Sequence, residues 1–212
     1  MTVAIIDCGS GNLRSCVKAF EKAAARFDMP PRIRLTNDPA VVWEAERIVL
    51  PGQGAFGQVR QGVAEIPGML EVLHEAVYRN ARTYFGICVG MQFIADKGRE
   101  HGHHEGLGWI HGDVVPIEPK DPSYKIPHMG WNDVQIVQDH PLFTGLPTGV
   151  HFYFVHSYHF RAVEEHVLAV VDHNARVTAA VGCDNVVGVQ FHPDKSQAAG
   201  VHLIENFMAW RP

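Results

Sequence analysis

The stretch TYFGICVGMQ, residues 83–92, decides the fold. It begins as a short apolar run typical of a buried strand, and the residues after Cys88 are typical of a helix start. Gly86 and Gly90 flank the cysteine at two residues on either side. Small residues at these positions permit a sharp turn from strand to helix. The stretch therefore predicts that Cys88 lies at a nucleophile elbow, where unpaired N–H groups of the first helical turn favour the thiolate over the thiol.

Two further apolar runs, residues 3–7 and 47–51, are also followed by glycine and then by a helix-like stretch. This alternation predicts a parallel sheet, and residues 67–80 predict a crossover helix between two of its strands. The second half contains successive strand candidates such as WNDVQIV, HFYFVHSYHF and VTAAVG, which predict an antiparallel extension. A final helix is expected to bury Val201, Ile204 and Met208. The predicted fold is α/β: a mixed, mostly parallel central sheet with helices on both faces, in one domain over residues 1–212.

Composition excludes some classes of function. The 212 residues have a formal net charge of -5 with scattered Lys and Arg, which gives no footprint for nucleic acid. No basic leader and no apolar stretch of about 20 residues is present, so we expect a soluble, cytoplasmic protein without a membrane partner. Cys8, Cys16, Cys88 and Cys183 form no CxxC and are expected to be reduced thiols.

A catalytic cysteine needs a base and a group that orients the base. His192 follows the apolar run VVGVQF, precedes Pro193, and has the carboxylate Asp194 two residues further on. The alternatives are a buried structural cysteine and a surface histidine. The cluster His101, His103 and His104 indicates a hydrated loop, because its spacing matches no familiar metal site. We expect neither a metal nor a cofactor.

Acyl transfer also needs donors for an oxyanion. In LPGQGAFG, Gly52 and Gly54 relax the backbone on both sides of Gln53, so that an N–H group there could turn towards a substrate carbonyl. A tight turn after a strand is an equally valid interpretation of the same residues.

Taken together and in order, LPGQGAFG, GICVGMQ, VHSYHF and GVQFHPDKSQAAG resemble the class I (triad) glutamine amidotransferases. The resemblance implies a flavodoxin-like fold and hydrolysis of L-glutamine. It implies that Cys88 is the nucleophile, that His192 is the acid and base, and that Asp194 replaces the family's usual Glu. The remaining implied residues supply the oxyanion donors, Gly52, Gln53, Gly54 and Val89, or hold the amino acid portion of glutamine, Gln92, His156, Ser157 and Tyr158.

Three further stretches, IDCGSGNLRS, PHMGWNDV and FYFVHSYHF, are similar to the glutaminase subunits of imidazole glycerol phosphate synthase. This resemblance implies a heterodimer with a cyclase subunit of the (β/α)₈ barrel type. The cyclase would use the ammonia to form imidazole glycerol phosphate and an aminoimidazole carboxamide ribotide in histidine biosynthesis. It implies an interface around Asn12 and Trp131.

Two alternatives remain at this point. The first is a glutaminase subunit of another amidotransferase synthase. The second is a non-enzyme, a redox or binding protein of the DJ-1-like class, which also has an elbow cysteine on an α/β scaffold. FHPDK together with VHSYH favours the amidotransferase over this second alternative.

Overall fold

The structure is a computed structural model that describes residues 1–10, 12–121 and 123–212. Gly11, in the N-terminal glycine motif, lies outside the described residues. The strands are β1 (Thr2–Ile6), β2 (Arg32–Thr36), β3 (Arg47–Gly52), β4 (Thr83–Cys88), β5 (Lys97–Gly98), β6 (His104–Glu105), β7 (Gly112–Pro116), β8 (His128–Ile136), β9 (Val150–His156), β10 (Tyr158–Ala162), β11 (Val167–Asp172), β12 (Arg176–Cys183) and β13 (Val186–Val189).

The α-helices are α1 (Leu13–Ala24), α2 (Pro39–Glu44), α3 (Phe56–Ala64), α4 (Met69–Leu73), α5 (Val89–Gln92) and α6 (Gln197–Ala209). A π-helical segment, His74–Arg79, directly continues α4. Short 3₁₀ turns lie at Pro141–Phe143, Glu164–His166 and Pro193–Lys195.

The large sheet has the strand order β2-β1-β3-β4-β13-β12-β11-β8-β9. Its first five strands are parallel, and the others pair antiparallel. The order of the parallel part is the doubly wound order of flavodoxin-like folds. The predicted fold class, a mostly parallel centre with an antiparallel extension, is therefore confirmed.

The helices cover both faces of the parallel part. The connection through α1 runs from β1 to β2, towards one edge of the sheet. The connections through α2, from β2 to β3, and through α3 and α4, from β3 to β4, run in the opposite direction. Because such crossovers are right-handed, the two sets of helices lie on opposite faces. Phe20 of α1 and Phe207 of α6 both pack against Phe85 of β4, which forms the aromatic centre of one face.

One prediction about the second half needs correction. The run HFYFVHSYHF is not a single strand of the extension, because it breaks at Ser157 and its two parts join different sheets. β9 is the edge of the large sheet, whereas β10 belongs to a separate sheet of order β10-β7-β5-β6. Because β10 pairs with β7 rather than with β8, Ser157 and Tyr158 lie where the two sheets meet.

The two predicted helices are confirmed, with one difference. The crossover after residue 67 changes from α to π winding at His74, which was not expected from the residue spacing. In α6 the predicted stripe of Val201, Ile204 and Met208 is buried. Among the described residues, no helix has the length and apolar character needed to cross a membrane.

Candidate active site

Cys88 lies at the junction of β4 and α5 with φ +56° and ψ -111°. A non-glycine residue with positive φ is strained, so the surrounding packing must hold it there. The flanking glycines allow that packing. A Cβ at Gly86 would overlap the carbonyl group of Gly90, and a Cβ at Gly90 would overlap the carbonyl oxygen of Leu50. The structure thus has the elbow that the glycine spacing predicts.

A buried tyrosine also holds the elbow. The hydroxyl of Tyr84 donates a hydrogen bond to the Gly90 carbonyl oxygen at 3.0 Å. Burial raises the pKa of Tyr84 well above its usual value, so this hydroxyl stays neutral and remains a donor. Cys88 itself is 4% exposed, with its sulfur 3.5 Å from the side-chain nitrogen of Gln190.

His192 and Asp194 lie beyond the end of β13. His192 directly precedes the 3₁₀ turn Pro193–Lys195, and Asp194 lies within it. The backbone N–H of His192 donates to the Tyr153 carbonyl oxygen at 2.9 Å, which ties this segment to β9. The Nδ1 atom of His192 lies 3.6 Å from Oδ1 of Asp194, and both side chains are buried. In the part of the chain that the structure describes, the other ring nitrogen, Nε2, is buried without a hydrogen-bond partner. That nitrogen is available to a reacting group.

The charges of these residues favour a protonated imidazole. Burial acts to lower the pKa of His192, but the negative charge of Cys88 and the contact with Asp194 outweigh it and raise the pKa to about 9. Burial acts to raise the pKa of Asp194, but His192, Ser15 and Lys195 outweigh it and lower the pKa below its ordinary value. At neutral pH the geometry therefore favours an imidazolium beside an ionised carboxylate.

The segment Gly52–Gln53–Gly54 runs beside the elbow. Gly52 is paired with Cys88 in the register of β3 and β4. A Cβ at Gly52 would come within 2.8 Å of the Gly90 nitrogen, so this position also needs glycine. Gly54 has φ +94°, a conformation that glycine adopts without strain. Between them, the side-chain oxygen of Gln53 accepts a hydrogen bond from the backbone N–H of Asn12 at 3.2 Å.

A cavity of about 330 Å³ opens in front of these elements. Most of the sequence-predicted site residues line it: Gln53, Gly54, Cys88, Val89, Gln92, His156, Ser157, Tyr158 and His192. Gly52 and Asp194 lie behind it, in a narrow crevice of about 10 Å³ that also borders Gln53 and His192. The structure thus brings the predicted catalytic, oxyanion and substrate residues to one place.

The polar wall of the cavity is internally hydrogen-bonded. The side-chain nitrogen of Gln92 donates to the Tyr158 carbonyl oxygen and to Gln190, both at 3.0 Å. Both ring nitrogens of His156 are engaged, with the Tyr158 carbonyl oxygen at 2.8 Å and with Nδ1 of His128 at 3.0 Å. Burial lowers the pKa of His156 to about 3 and that of His128 to about 4, so both are neutral at pH 7. His156 therefore shapes the wall and has no free ring nitrogen.

Two residues that line the cavity, Lys195 and Glu100, were not predicted from the sequence. Lys195 lines the cavity directly after Asp194, so its position in FHPDK was an available signal. Glu100 also lines the cavity and accepts the backbone N–H of Phe56 at 2.8 Å. Glu100 is the second residue of REHGHHEG, residues 99–106, a stretch that was expected to be a hydrated loop. That interpretation was wrong for His104, which lies on β6 and whose ring stacks on Phe56, whereas Glu100 lies in a turn.

The two predicted interface residues lie near the same cavity. Asn12 is exposed at the start of α1, and Trp131 is 47% exposed on β8. The Trp131 ring contacts Tyr153, and the ammonium group of Lys195 lies 5.9 Å from the centre of the Tyr153 ring. Met129, two residues before Trp131, is 62% exposed. We call Met129, Trp131, Tyr153 and Lys195 the aromatic patch. No group of three or more metal-binding side chains occurs among the described residues.

Comparison with known proteins places this site in a family. The family model for glutamine amidotransferase class-I matches residues 4–210. A relative from Rhodopseudomonas palustris is 52% identical over 216 residues, and one from Rhizobium meliloti is 53% identical over 216 residues. Both alignments cover all of both chains, and both relatives are named imidazole glycerol phosphate synthase subunit HisH. A solved structure described as glutamine amidotransferase matches with a TM-score of 0.71 at 18% identity, covering 97% of this chain and 98% of that one. The chain belongs to the class I glutamine amidotransferase family.

Proposed function

We propose that this protein is the glutaminase subunit of imidazole glycerol phosphate synthase, and that it hydrolyses L-glutamine and delivers the ammonia to a cyclase. The observation that supports it most directly is the position of Cys88, on a strained elbow facing one cavity together with His192 and the Gly52–Gly54 segment. The identity of 52% over the whole chain to curated synthase subunits supports the pathway. Membership of the amidotransferase family favours an enzyme over the DJ-1-like alternative.

The first half of the reaction forms a thioester. The thiolate of Cys88 attacks the side-chain amide carbon of glutamine, and the carbonyl oxygen becomes an oxyanion. His192, protonated because its pKa is raised to about 9, donates its proton to the departing nitrogen. The C–N bond then breaks, and ammonia leaves a γ-glutamyl thioester on Cys88.

The second half hydrolyses the thioester. Neutral His192 accepts a proton from water, and the hydroxide attacks the thioester carbon. The C–S bond breaks, so that glutamate leaves and Cys88 returns as thiolate beside a protonated His192. Asp194 keeps the ring oriented through Nδ1, which leaves Nε2 for both proton transfers.

The oxyanion requires N–H donors. The backbone N–H of Val89 follows the nucleophile directly, and a peptide N–H within Gly52–Gln53–Gly54 supplies the second donor from the adjacent strand. Removing one such donor reduces kcat by on the order of 10²–10³. The orientation of the Gln53 peptide therefore controls the rate.

The chemistry of the cavity wall fits an amino acid. Glu100 is the acidic residue among the side chains that line the cavity, and it is suited to the α-ammonium group of glutamine. Gln92, Ser157 and Tyr158 lie on the same wall, where they hold the rest of the amino acid portion. His156 acts indirectly, through its hydrogen bond with the Tyr158 carbonyl oxygen.

The proposed partner is a cyclase of the (β/α)₈ barrel type, in a heterodimer. The relatives' names denote a subunit, which implies a complex. Lys195 of the aromatic patch lines the cavity, and Asn12 donates to Gln53, which also lines it, so a partner that covers the patch and Asn12 would help to enclose the cavity. Exposed aromatic and Met side chains are enriched in such interfaces. Enclosure keeps ammonia from bulk water, where most of it would be protonated.

The experiment is a reconstituted synthase assay with purified chain and a cyclase of this type. With glutamine as nitrogen source, wild type is expected to support synthesis, and Cys88→Ser is expected to reduce it by at least about 10⁴. With high ammonia instead, both proteins should give equal rates, which controls for folding and docking. Synthesis from glutamine that persists with Cys88→Ser would contradict the proposal. Glutamate release without any coupling to this cyclase would favour another synthase.

A further inference from the structure

The first turn of α1 contacts the catalytic carboxylate across 179 residues of sequence. The hydroxyl of Ser15 donates a hydrogen bond to Oδ2 of Asp194 at 2.9 Å. The other carboxylate oxygen, Oδ1, faces Nδ1 of His192 at 3.6 Å. The two oxygens of Asp194 are thus divided between α1 and the histidine.

The contact matters because Asp194 is short. A glutamate at this position would have one more methylene with which to reach the ring. The 3.6 Å separation is longer than an ordinary N–H···O hydrogen bond, so the histidine alone orients the carboxylate weakly. A hydrogen bond to a charged acceptor is stronger than one between neutral groups and fixes the free oxygen. Ser15 therefore limits rotation of the carboxylate about its last bond.

Burial strengthens this effect. The Asp194 side chain is 6% exposed, and Ser15 is half-buried beside it. The crevice between α1 and the triad measures only about 10 Å³, which leaves room for at most one water molecule. If the hydroxyl were removed, a buried carboxylate oxygen would lose its donor, and such losses are costly.

The same segment also reaches the oxyanion side. The backbone N–H of Asn12, at the N-terminus of α1, donates to the side chain of Gln53 at 3.2 Å. One turn of helix therefore contacts both parts of the machinery that flank Cys88. A displacement of this turn would change the triad and the oxyanion segment together.

We infer that Ser15 is a positioning residue of the glutaminase, which holds Asp194 in the orientation that aligns His192 and so couples the start of α1 to the triad. The inference rests on the proposed function. It adds a residue outside the elbow, the oxyanion segment and the cavity wall.

The pH dependence of kcat distinguishes a positioning role of Ser15 from a purely structural one, because it depends on the titratable groups around Asp194. His192 and Lys195 face it from its own segment, and Cys16 faces it from α1. Ser15 stabilises the charged form, so its removal raises the pKa of Asp194. The acid limb of the pH profile of kcat should then move to higher pH. A purely structural loss would lower the rate without moving this limb.

The experiment compares Ser15→Ala, Ser15→Thr and Ser10→Ala in the complex with a cyclase. Ser10 borders the same crevice but contacts Cys8 instead of the triad, so Ser10→Ala is the matched control. We expect Ser15→Ala to lower kcat roughly 10-fold with little change in KM, and Ser15→Thr to restore most of the rate. Melting temperatures of the variants show whether they remain folded.

A double-mutant comparison tests whether Ser15 acts through Asp194. In an Asp194→Ala background, Ser15→Ala is expected to have no further effect, because its target is gone. Equal kcat for Ser15→Ala and active wild type, or a full 10-fold loss in the Asp194→Ala background, would overturn the inference. A wild-type protein without glutaminase activity would instead overturn the proposed function. The two failures are therefore distinguishable.

Discussion

Two glycine-flanked segments meet at the active site, and they are held in different ways. At the elbow, Gly86 and Gly90 lie against backbone atoms that cannot move away. The Tyr84 hydroxyl also donates a hydrogen bond to the Gly90 carbonyl oxygen within this turn. In the oxyanion segment, a Cβ at Gly54 would meet only the flexible end of Gln58, at 2.5 Å. Among the described residues of the N-terminal segment, the backbone N–H of Asn12 donates the one hydrogen bond to the Gln53 side chain.

This difference separates two tasks of the catalyst. The nucleophile is fixed by packing, because interiors are close-packed and do not deform easily. The Gln53–Gly54 end of the oxyanion segment, beyond the strand pairing of Gly52, is held by polar contacts that a neighbouring surface could replace. We therefore expect a preformed Cys88 and His192 together with an oxyanion donor whose orientation responds to the partner.

The largest expected effect is on kcat, and it tests the preformed Cys88 and His192. Asp194→Ala should lower kcat by on the order of 10²–10⁴ and raise KM much less, because the lost contact acts in the transition state. It should also move the basic limb of the kcat/KM profile, which lies near the His192 pKa of about 9, to lower pH. The sign follows because Asp194 helps to raise that pKa. Asp194→Glu should remain active.

Steady-state kinetics from pH 6 to 10 measure these changes. Wild-type rates from Asp194→Ala would mean that this carboxylate does not orient His192. An unmoved basic limb would mean that another group titrates there.

A pair of glycine substitutions tests the contrast itself. Gly90→Ala should destabilise the fold by about 3 kcal/mol or more, because its Cβ overlaps the Leu50 carbonyl oxygen. Gly54→Ala should cost only about 1–2 kcal/mol, from its φ of +94°. It should nevertheless lower glutamine hydrolysis by roughly 10², because the oxyanion peptide is displaced. Urea unfolding and glutamate assays measure both effects, and equal stability losses would remove the distinction between the segments.

The smallest expected effect concerns the cavity wall. His128 and His156 have pKa values lowered to about 4 and about 3, with burial as the main cause. Because the unfolded chain binds protons at these residues near pH 6.5, their contribution to stability is present above that pH and is lost as pH falls towards 4. We expect each to reduce stability by about 1–2 kcal/mol between pH 7.5 and 5.

Urea unfolding of wild type and His128→Asn at the two pH values provides the test. The variant should show a smaller loss on acidification. An identical loss in both proteins would show that His128 does not couple stability to pH.

The local sequence predicted the elements that have a periodic or glycine signature. The elbow at Cys88 follows from Gly86 and Gly90, and the parallel strands β1, β3 and β4 follow from short apolar runs before glycine. The parallel strand β2 was not predicted, and β13 pairs parallel with β4 although the second half predicted an antiparallel extension. The two-residue strands β5 and β6 carry no recognisable pattern, so the separate sheet was not predicted. The break at Ser157 is likewise a tertiary effect, since β9 and β10 have different partners.

The residues of the candidate site also divide into those that local sequence predicts and those that only tertiary contacts explain. Residues within motifs, such as His192 and Gln92, could be identified from their neighbours in sequence. Glu100 lies in a polar stretch, and only its contact with the Phe56 N–H explains its place at the cavity. The Ser15 contact joins positions 179 residues apart, and no short-range pattern indicates such a pair.

We expect Cys88 to be preformed and the oxyanion donor not to be, and two rates measured on the same samples test this difference. The first is glutamine hydrolysis, which needs the oxyanion donor. The second is alkylation of Cys88 by iodoacetamide, which needs only the thiolate. We predict that a cyclase with its nucleotide ligand accelerates hydrolysis by on the order of 10²–10³ but changes alkylation only a few-fold. Acceleration of both rates to the same extent would show that the partner acts on the nucleophile and would contradict this prediction. Full hydrolysis by the chain alone would contradict it as well.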